Sequence, residues 1–200
     1  MFSSMKTESP RWCWLGWVHP AMPFMVWLPL ALGIIGWGIS RWELSLEQVF
    51  LLALSALLSW SLLEYILHRW LFHPFQTGGI LERLARSTHG KHHDQPDHPA
   101  SALVPPVNAA IILLVLGGVF FLVFPVYALA VFMGFFVLSY LFYEGVHLAI
   151  HHCKPKTRLG RFLRNHHLNH HKVENNGNFG VSSPLWDWLM GTWTHSKDRN

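Results

Sequence analysis

Apolar residues in this chain fall into four long stretches separated by polar segments. The stretches cover approximately residues 21–39, 49–72, 107–124 and 126–150. Each is close to the ~20 residues that an α-helix needs to cross a hydrocarbon core of ~30 Å. Only helices and closed barrels satisfy their own backbone hydrogen bonds in hydrocarbon. The pattern therefore predicts an all-α integral membrane protein with four transmembrane helices.

The connections between these stretches predict two helical hairpins. The first connection, residues 41–47, is short, and a turn at Pro125 joins the third stretch to the fourth. Four crossings place both termini and the polar segment 74–105 on one side of the membrane. We divide the chain into an interfacial N-terminal segment at 1–20, a membrane unit at 21–150 with the insertion at 74–105, and a C-terminal segment at 151–200.

The composition agrees with a membrane protein and the charges orient it. Only 13% of the 200 residues are charged, whereas soluble domains contain about 25%. The net charge is +4, and most basic residues lie in 83–91 and 154–172. Because cytoplasmic loops carry excess Lys and Arg, we expect both termini in the cytoplasm and no nucleic-acid partner. The compact chain without retention signals favours a multi-pass protein of the bacterial inner membrane.

Histidines gather at the polar ends of the apolar stretches and in the segments beyond them. All of these clusters fall on the predicted cytoplasmic face. Imidazole is a common ligand of iron, zinc and copper, and histidine near a membrane is costly enough to indicate a function. We therefore predict a metal centre. Its ten candidate ligands are His68, His73, His89, His92, His93, His147, His151, His167, His170 and His171.

The spacing within each cluster bears on which histidines can share a metal. Residues at i, i+3 and i+4 share one face of a helix. The spacing of the His-x-x-His-His triplets that begin at His89 and His167 therefore allows each triplet to share one metal. His68 and His73 are five residues apart, about 140° around a regular helix. Either the helix ends or unwinds between them, or these two histidines bind different metals.

The number of ligands favours iron. Ten ligands over two metals give about five each, more than the four at which structural zinc normally closes. Two six-coordinate iron ions, each with a position open for O2, fit better. Such a centre at a membrane surface suggests oxidation of a lipid C–H bond.

Further polar residues are candidates for ligation or for support of the ligands. Glu64 lies one turn before His68, and Glu144 lies three residues before His147. Each could accept the second ring N–H of a ligand, or could instead cap a helix or pair with an Arg. The other candidates are His152, His166, Asp94, Asp97 and Asp187, with Tyr65, Tyr140 and Tyr143 as residues that either line a cavity or pack the core.

Two long motifs resemble a known family. The first is His89-Gly-Lys-His-His-Asp-Gln-Pro-Asp97 followed by Leu103-Val-Pro-Pro106. The second is His166-His-Leu-Asn-His-His171 followed by Asn178-Phe-Gly-Val-Ser-Ser-Pro-Leu-Trp-Asp-Trp188 and Gly191-Thr192. Together they are similar to the fatty acid hydroxylase/sterol desaturase superfamily of membrane di-iron oxygenases, and within it to the ceramide/fatty acid 2-hydroxylase branch. The resemblance spans about residues 63–193.

The resemblance implies four membrane helices capped by a cytosolic histidine-rich helical domain. It also implies that the ten histidines hold two metals, iron in the active enzyme and zinc as an alternative occupant of the isolated protein. The expected reaction is O2-dependent 2-hydroxylation of a lipid acyl chain from the bilayer. No haem or nicotinamide site is expected, so electrons would come from a separate ferredoxin or cytochrome b5-like donor. The branch usually has an Arg where this chain has His98-Pro-Ala-Ser-Ala102, which leaves the headgroup preference open.

Two other functions are weighed against hydroxylation of an acyl chain. Sterol or acyl desaturation, or carotenoid hydroxylation, would use the same dimetal centre, since these reactions share the first hydrogen abstraction. A non-catalytic membrane metal-binding or transport protein would need ionisable residues midway along its helices. The helix centres here are nearly bare of them, so an enzyme is the favoured interpretation.

Overall fold

The computed structural model describes residues 19–73, 79–172 and 177–194, and the regular structure within these ranges is helical. This confirms the all-α prediction. The expectation of an interfacial N-terminal segment falls almost wholly on residues 1–18, outside the described residues. The elements are α1 (Met22–Trp42), α2 (Leu46–Ile66), a first π-helical turn (Leu67–Phe72), α3 (Ile80–Ala85), a second π-helical turn (Arg86–Gly90), α4 (Lys91–Asp94), α5 (Pro106–Phe121), α6 (Val126–His152), α7 (Arg158–Lys172) and α8 (Leu185–Leu189).

Three segments are long and apolar enough to cross a membrane: α1, α2 with its π-helical extension, and α6. The fourth, α5, is apolar but has only 16 residues. At 1.5 Å per residue it is about 24 Å long, less than the ~30 Å of a typical hydrocarbon core. The described chain therefore has three full-length spans and one shorter apolar helix.

Local signals set the first helix boundary. Glu43, with φ 47° and ψ 45°, takes the left-handed conformation that ends α1. Ser45 then begins α2 with a capping box, because its side chain accepts from the Gln48 backbone N–H while the Gln48 side chain accepts from the Ser45 backbone N–H. Such a box satisfies two backbone donors that would otherwise be free at the start of the helix.

Helix α6 is the centre of the bundle and packs against both α1 and α2. Two glycines allow the close approach of α1. A Cβ at Gly134 would lie 2.4 Å from Ile35 Cγ1, and a Cβ at Gly38 would lie 2.5 Å from Val131 Cγ2. Small residues at such crossings let helix backbones approach closely in lipid. On the α2 side, Trp60 meets the Phe136 ring edge-on at 5.3 Å.

The outward sides of the helices are apolar and the polar segments gather at one end. Leu114 and Leu122 are 76% and 84% exposed, as expected for side chains that face lipid. Helix α7 packs on α6, α8 on α2, and the two π-helical turns contact each other. The polar segments thus converge where α2 and α6 end, and this convergence brings the histidines together.

Candidate metal centre

The first π-helical turn settles the orientation of His68 and His73. In a π-helix the backbone hydrogen bond runs from i to i+5, so residues five apart lie nearly above one another. The two rings are 5.1 Å apart and inclined by 35°. The helix therefore widens after Ile66 and ends at Phe72, with His73 at φ −118° and ψ 57°, and the two histidines point to the same place.

Five histidines form the first group: His68, His73, His89, His93 and His170. Their Nε2 atoms lie in a chain of short separations. His68 is 2.9 Å from His89, His89 is 3.0 Å from His93, and His170 is 3.1 Å from both His93 and His73. All five ligand atoms lie within 4.8 Å of one another, which is close enough to hold one metal ion.

The second group contains His92, His147, His151 and His167. His147 Nε2 is 3.0 Å from that of His92 and 3.1 Å from that of His167, and His167 Nε2 is 3.0 Å from that of His151. His171 adjoins this group, with its Nε2 3.0 Å from His92 and 3.1 Å from His167. The groups are neighbours, since the His93 and His171 rings are 4.4 Å apart.

Each His-x-x-His-His triplet is divided between the two groups in the same way. His89 and His93 stay together while His92 joins the other group, and His167 and His171 stay together while His170 crosses over. At ~100° per residue, i+3 and i+4 lie on opposite sides of i and ~100° from each other. The spacing allowed each triplet to share one metal, but in the structure each triplet contributes side chains to both groups.

The protonation of the rings indicates that a cation belongs between them. The Nδ1 atoms of His68 and His170 face the backbone carbonyls of Phe179 and Gly177. Since a neutral imidazole carries one N–H, both rings place it on Nδ1 and direct a bare Nε2 lone pair inward. Yet His170 Nε2 lies 3.1 Å from two other Nε2 atoms. A bound cation would relieve this repulsion.

The separations also bear on the coordination geometry. With metal–nitrogen bonds of ~2.0–2.1 Å, ligands at 90° lie about 2.8–3.0 Å apart and ligands at the tetrahedral angle about 3.3–3.4 Å apart. Neighbouring Nε2 atoms here are separated by 2.9–3.1 Å. These neighbouring pairs have the separation of ligands at about 90° to each other.

Burial keeps the histidines of the polar segments neutral. It lowers the pKa of His93 to about 4, and together with neighbouring histidines it lowers the pKa of His171 to about 3. Burial likewise holds the pKa of His89, His167 and His170 well below the ordinary value of 6.5. Neutral imidazole is the form that binds metal, so these rings are ready to ligate at pH 7.

Residues 53–192 match the family model described as fatty acid hydroxylase. The chain belongs to the fatty acid hydroxylase family. It is 33% identical over 169 residues to the dihydroceramide fatty acyl 2-hydroxylase FAH2 of Arabidopsis thaliana, covering 84% of this chain and 70% of that relative. It is also 33% identical over 145 residues to the human fatty acid 2-hydroxylase, covering 69% of this chain but 38% of the relative.

A solved structure shares the fold. The yeast relative named SCS7, a ceramide very long chain fatty acid hydroxylase, is 32% identical over 198 residues. The structure titled full-length scs7p, in which only the hydroxylase domain is visible, superposes with a TM-score of 0.83 at 27% identity. It covers 92% of this chain and 69% of that one. The chain is thus a membrane enzyme of a metal-dependent hydroxylase family.

The buried carboxylates of this hydroxylase bind backbone amides rather than ring N–H groups. Glu64 accepts the backbone N–H groups of Val181 at 2.6 Å and Ser182 at 2.8 Å, and also the Ser182 hydroxyl. Glu144 accepts the N–H of Val104 at 3.1 Å. In the described part of the chain neither has a hydrogen bond to a ligand imidazole, and the amides that they bind lie in loops rather than at a helix terminus.

The remaining candidates separate clearly. His166 is buried and pairs through Nε2 with Asp187 Oδ2 at 3.0 Å, so it stands outside both groups. His152, Asp94 and Asp97 are exposed and are likewise members of neither group. Asp187 also accepts from the backbone of Phe179 and Gly180, each at 2.8 Å.

Sequence reasoning missed the functional part of the segment Gly177–Ser182. Its contribution is two backbone carbonyls, those of Gly177 and Phe179, each directed at a histidine. Carbonyl direction depends on backbone dihedrals rather than side-chain identity. The only signal was the motif around Asn178, which marked the segment by resemblance without assigning it a role.

An apolar cavity lies beneath the histidines, between α2, α5 and α6. Its lining includes Trp60, Phe72, Tyr140 and Tyr143. Phe72 stacks on the His89 ring at 5.5 Å, and Tyr143 lies 5.7 Å from the His147 ring. One wall of the cavity therefore touches both histidine groups, and two of the tyrosines considered for lining do line it.

Proposed function

We propose that this chain is an O2-dependent dimetal monooxygenase that hydroxylates a lipid acyl chain, with position 2 of a fatty acyl group as the favoured carbon. The single observation that carries the proposal is the apolar cavity whose lining contacts one ring of each histidine group. The likeness to the dihydroceramide fatty acyl 2-hydroxylase of Arabidopsis thaliana and to the human fatty acid 2-hydroxylase supports the choice of substrate.

The ten histidines are proposed as the ligands. The first group of five would hold one ion, and the second group with His171 would hold the other. Iron is favoured over zinc, since five ligands for each ion exceed the four at which structural zinc normally closes. When bound, the two iron ions would activate O2 for the oxidation of an unactivated C–H bond.

The chain's own residues bind the substrate and exclude water. Trp60, Phe72 and Leu113 supply apolar walls to a cavity whose lining also includes Glu64. An acyl chain entering from the bilayer would be buried mainly against apolar side chains. Tyr140 and Tyr143 lie on the α6 wall. The overall balance is R–H plus O2, two electrons and two protons giving R–OH and water.

The electrons are proposed to come from a separate ferredoxin or cytochrome b5-like protein. The histidine-rich end is proposed to face the cytoplasm, where such donors occur and where the basic segments at 83–91 and 154–172 would lie. A bacterial inner membrane remains our prediction for the host membrane.

Lipid analysis of a host with and without the protein tests the function. We expect 2-hydroxylated fatty acids with the wild-type chain, and a fall to background with His170→Ala, which removes an Nε2 that neighbours two others. His152→Ala is the matched control because this exposed histidine lies beside His151 but outside both groups. Equal hydroxylation by wild type and His170→Ala would refute the proposal, and a new double bond in place of hydroxyl would reassign it to desaturation.

A further inference from the structure

The segment Gly177–Ser182 is held by two buried carboxylates on different elements. Glu64 on α2 is 3% exposed and Asp187 on α8 is fully buried. Four consecutive backbone N–H groups donate to these two side chains: Phe179 and Gly180 to Asp187 at 2.8 Å each, and Val181 and Ser182 to Glu64 at 2.6 and 2.8 Å. Each of these buried backbone N–H groups thus has a hydrogen-bond partner, and the segment is anchored at four consecutive positions.

The other side of the same segment orients two histidines of the first group. The Phe179 carbonyl accepts from His68 Nδ1, and the Gly177 carbonyl accepts from His170 Nδ1 at 2.8 Å. The peptide unit is planar, and the Phe179 carbonyl shares its unit with the Gly180 N–H that donates to Asp187. The Gly177 carbonyl shares its unit with the Asn178 N–H, which donates to the Thr192 carbonyl at 3.0 Å, and the Thr192 hydroxyl in turn donates to Asp187. Asp187 thereby fixes the carbonyl that orients His68, a ring it does not touch, while Glu64 holds the next two peptide units in place.

Close packing leaves the segment little other freedom. A Cβ at Gly180 would lie 2.1 Å from the Ser183 carbonyl oxygen, and a Cβ at Gly177 would lie 2.4 Å from that of Thr192. Asn178 takes a left-handed conformation with φ 58°, and its buried side chain donates to the Thr194 carbonyl at 3.0 Å. The carbonyls are therefore presented in one arrangement.

The second group has less support of this kind in the ranges that the structure describes, although His147 has a backbone hydrogen bond with Ala102. The Nδ1 atoms of His92 and His167 are buried and have no hydrogen-bond partner there. Nothing of this kind fixes which nitrogen of these rings carries the proton. The two groups are thus adjacent but unequally organised.

We propose that Glu64 and Asp187 are positioning residues which, through Gly177–Ser182, make the first histidine group retain its metal more strongly than the second. This rests on the proposed function, in which each group holds one ion. Partners that orient metal-ligating histidines contribute a factor of about 10–100 in metal affinity. The two metals should therefore leave the protein at different chelator concentrations.

Metal retention of the full chain measures this directly. The chain is loaded with Zn²⁺ or Fe²⁺, dialysed against increasing chelator, and its metal content per chain is counted by mass spectrometry. We expect the wild type to lose its metal in two steps as the chelator concentration rises, the second group releasing its ion at the lower concentration (the weaker step) and the first group at the higher (the stronger step). His151→Ala, in the second group, should abolish the weaker step and keep the stronger, whereas His73→Ala, in the first group, should remove the stronger step.

Variants of Glu64 and Asp187 test whether these two side chains act on the first histidine group through the segment Gly177–Ser182. Asp187→Asn and Glu64→Gln should shift the stronger step toward the weaker by ~10–100-fold. Ser182→Ala, which removes only the hydroxyl bond to Glu64, should shift it less and serves if the other two fail to fold. Glu144→Gln is the matched control, because this buried carboxylate binds Val104 rather than the segment, and it should leave the stronger step in place.

The outcomes separate this proposal from the proposed function. A wild type that retains two metals but loses them in one step, or Asp187→Asn and Glu64→Gln chains that fold and keep the stronger step unchanged, would overturn the positioning role and leave the dimetal assignment intact. Failure of the loaded wild type to retain two metals per chain would overturn the proposed function itself.

Discussion

The crossing of α1 and α6 predicts a large response to a single added methyl group. In Gly134→Ala the new Cβ would lie 2.4 Å from Ile35 Cγ1, 3.1 Å from Ile35 Cδ1 and 3.0 Å from the Ala31 carbonyl oxygen. Favourable carbon–carbon contacts lie at ~3.5–4.0 Å, so about 1 Å of movement is needed. Ile35 is β-branched and has essentially one side-chain rotamer in a helix, and Ala31 contributes backbone. The helices themselves must therefore separate.

Overpacking of this kind costs about 1–3 kcal/mol. Gly33→Ala, on the other helix of this crossing, α1, is the matched control, because its Cβ would meet nothing within 4 Å. Both variants make the same change of backbone preference, so the difference between them isolates the overlap. For a chain of this size, 1 kcal/mol corresponds to a change of about 2–4 °C in Tm, and we expect Gly134→Ala to unfold about 2–12 °C below Gly33→Ala.

Thermal unfolding of the full chain in detergent, followed by circular dichroism, is the assay. Ile35→Ala combined with Gly134→Ala removes both overlapping Ile35 atoms and should cost less than the sum of the single changes. Metal content gives a second measurement, since α6 also carries His147 and His151 and its displacement should weaken the second group. Indistinguishable Tm values for Gly134→Ala and Gly33→Ala would refute the packing argument.

Three further predictions concern the metal ligands, metal removal and pH. His92→Ala removes an Nε2 that is 3.0 Å from those of both His147 and His171, and should reduce the metal count from two per chain to one; retention of both would contradict the ligand assignment. Chelation of a chain previously held at a free metal concentration 100 times the dissociation constant should remove about 2.7 kcal/mol of stability, or about 5–11 °C in Tm, and an unchanged Tm would argue against structural coupling of the metals. In the metal-free chain, the pKa of His93 is about 4 and that of His171 about 3, below the unfolded value of ~6.5. The unfolded state therefore takes up more protons than the folded state as the pH falls below ~6.5. The free energy of unfolding should decrease toward pH 4 by up to about 1.4 kcal/mol per pH unit for each histidine, and by less for these partly exposed rings. Denaturant unfolding of chelated samples at pH 7.5 and pH 5 measures the change, and equal stability at both would contradict the prediction.

The histidine pattern shows how far local sequence can reach. The apolar stretches specified where the polar ends would be, because hydrocarbon demands satisfied backbones and admits few charges. The placement of all clusters at those ends was therefore readable before any fold was known. The i, i+4 relation of His147 to His151 was equally readable, since a regular helix dictates it.

Other features could not be read from the pattern of apolar residues. Helix α5 ends at Phe121, where the Leu122 N–H donates to the Val119 carbonyl oxygen. Neither the π-helical turn that aligns His68 with His73 nor the carbonyls of Gly177 and Phe179 has a periodic side-chain signature.

What the sequence determined by itself was the chemistry and its location: ten imidazoles, an apolar bundle to present them, and motifs specific enough to point to the family. What only the tertiary structure decided was their partition into two groups and the support each receives. His92 and His93 are neighbours in the chain yet belong to different groups. They point ~100° apart around the helix, and only the packing of the other helices determines which histidines each of them meets. Glu64 and Asp187 are more than a hundred residues apart in the chain but bind backbone N–H groups of the same segment. The fold brings them together, and no local sequence pattern predicts this contact.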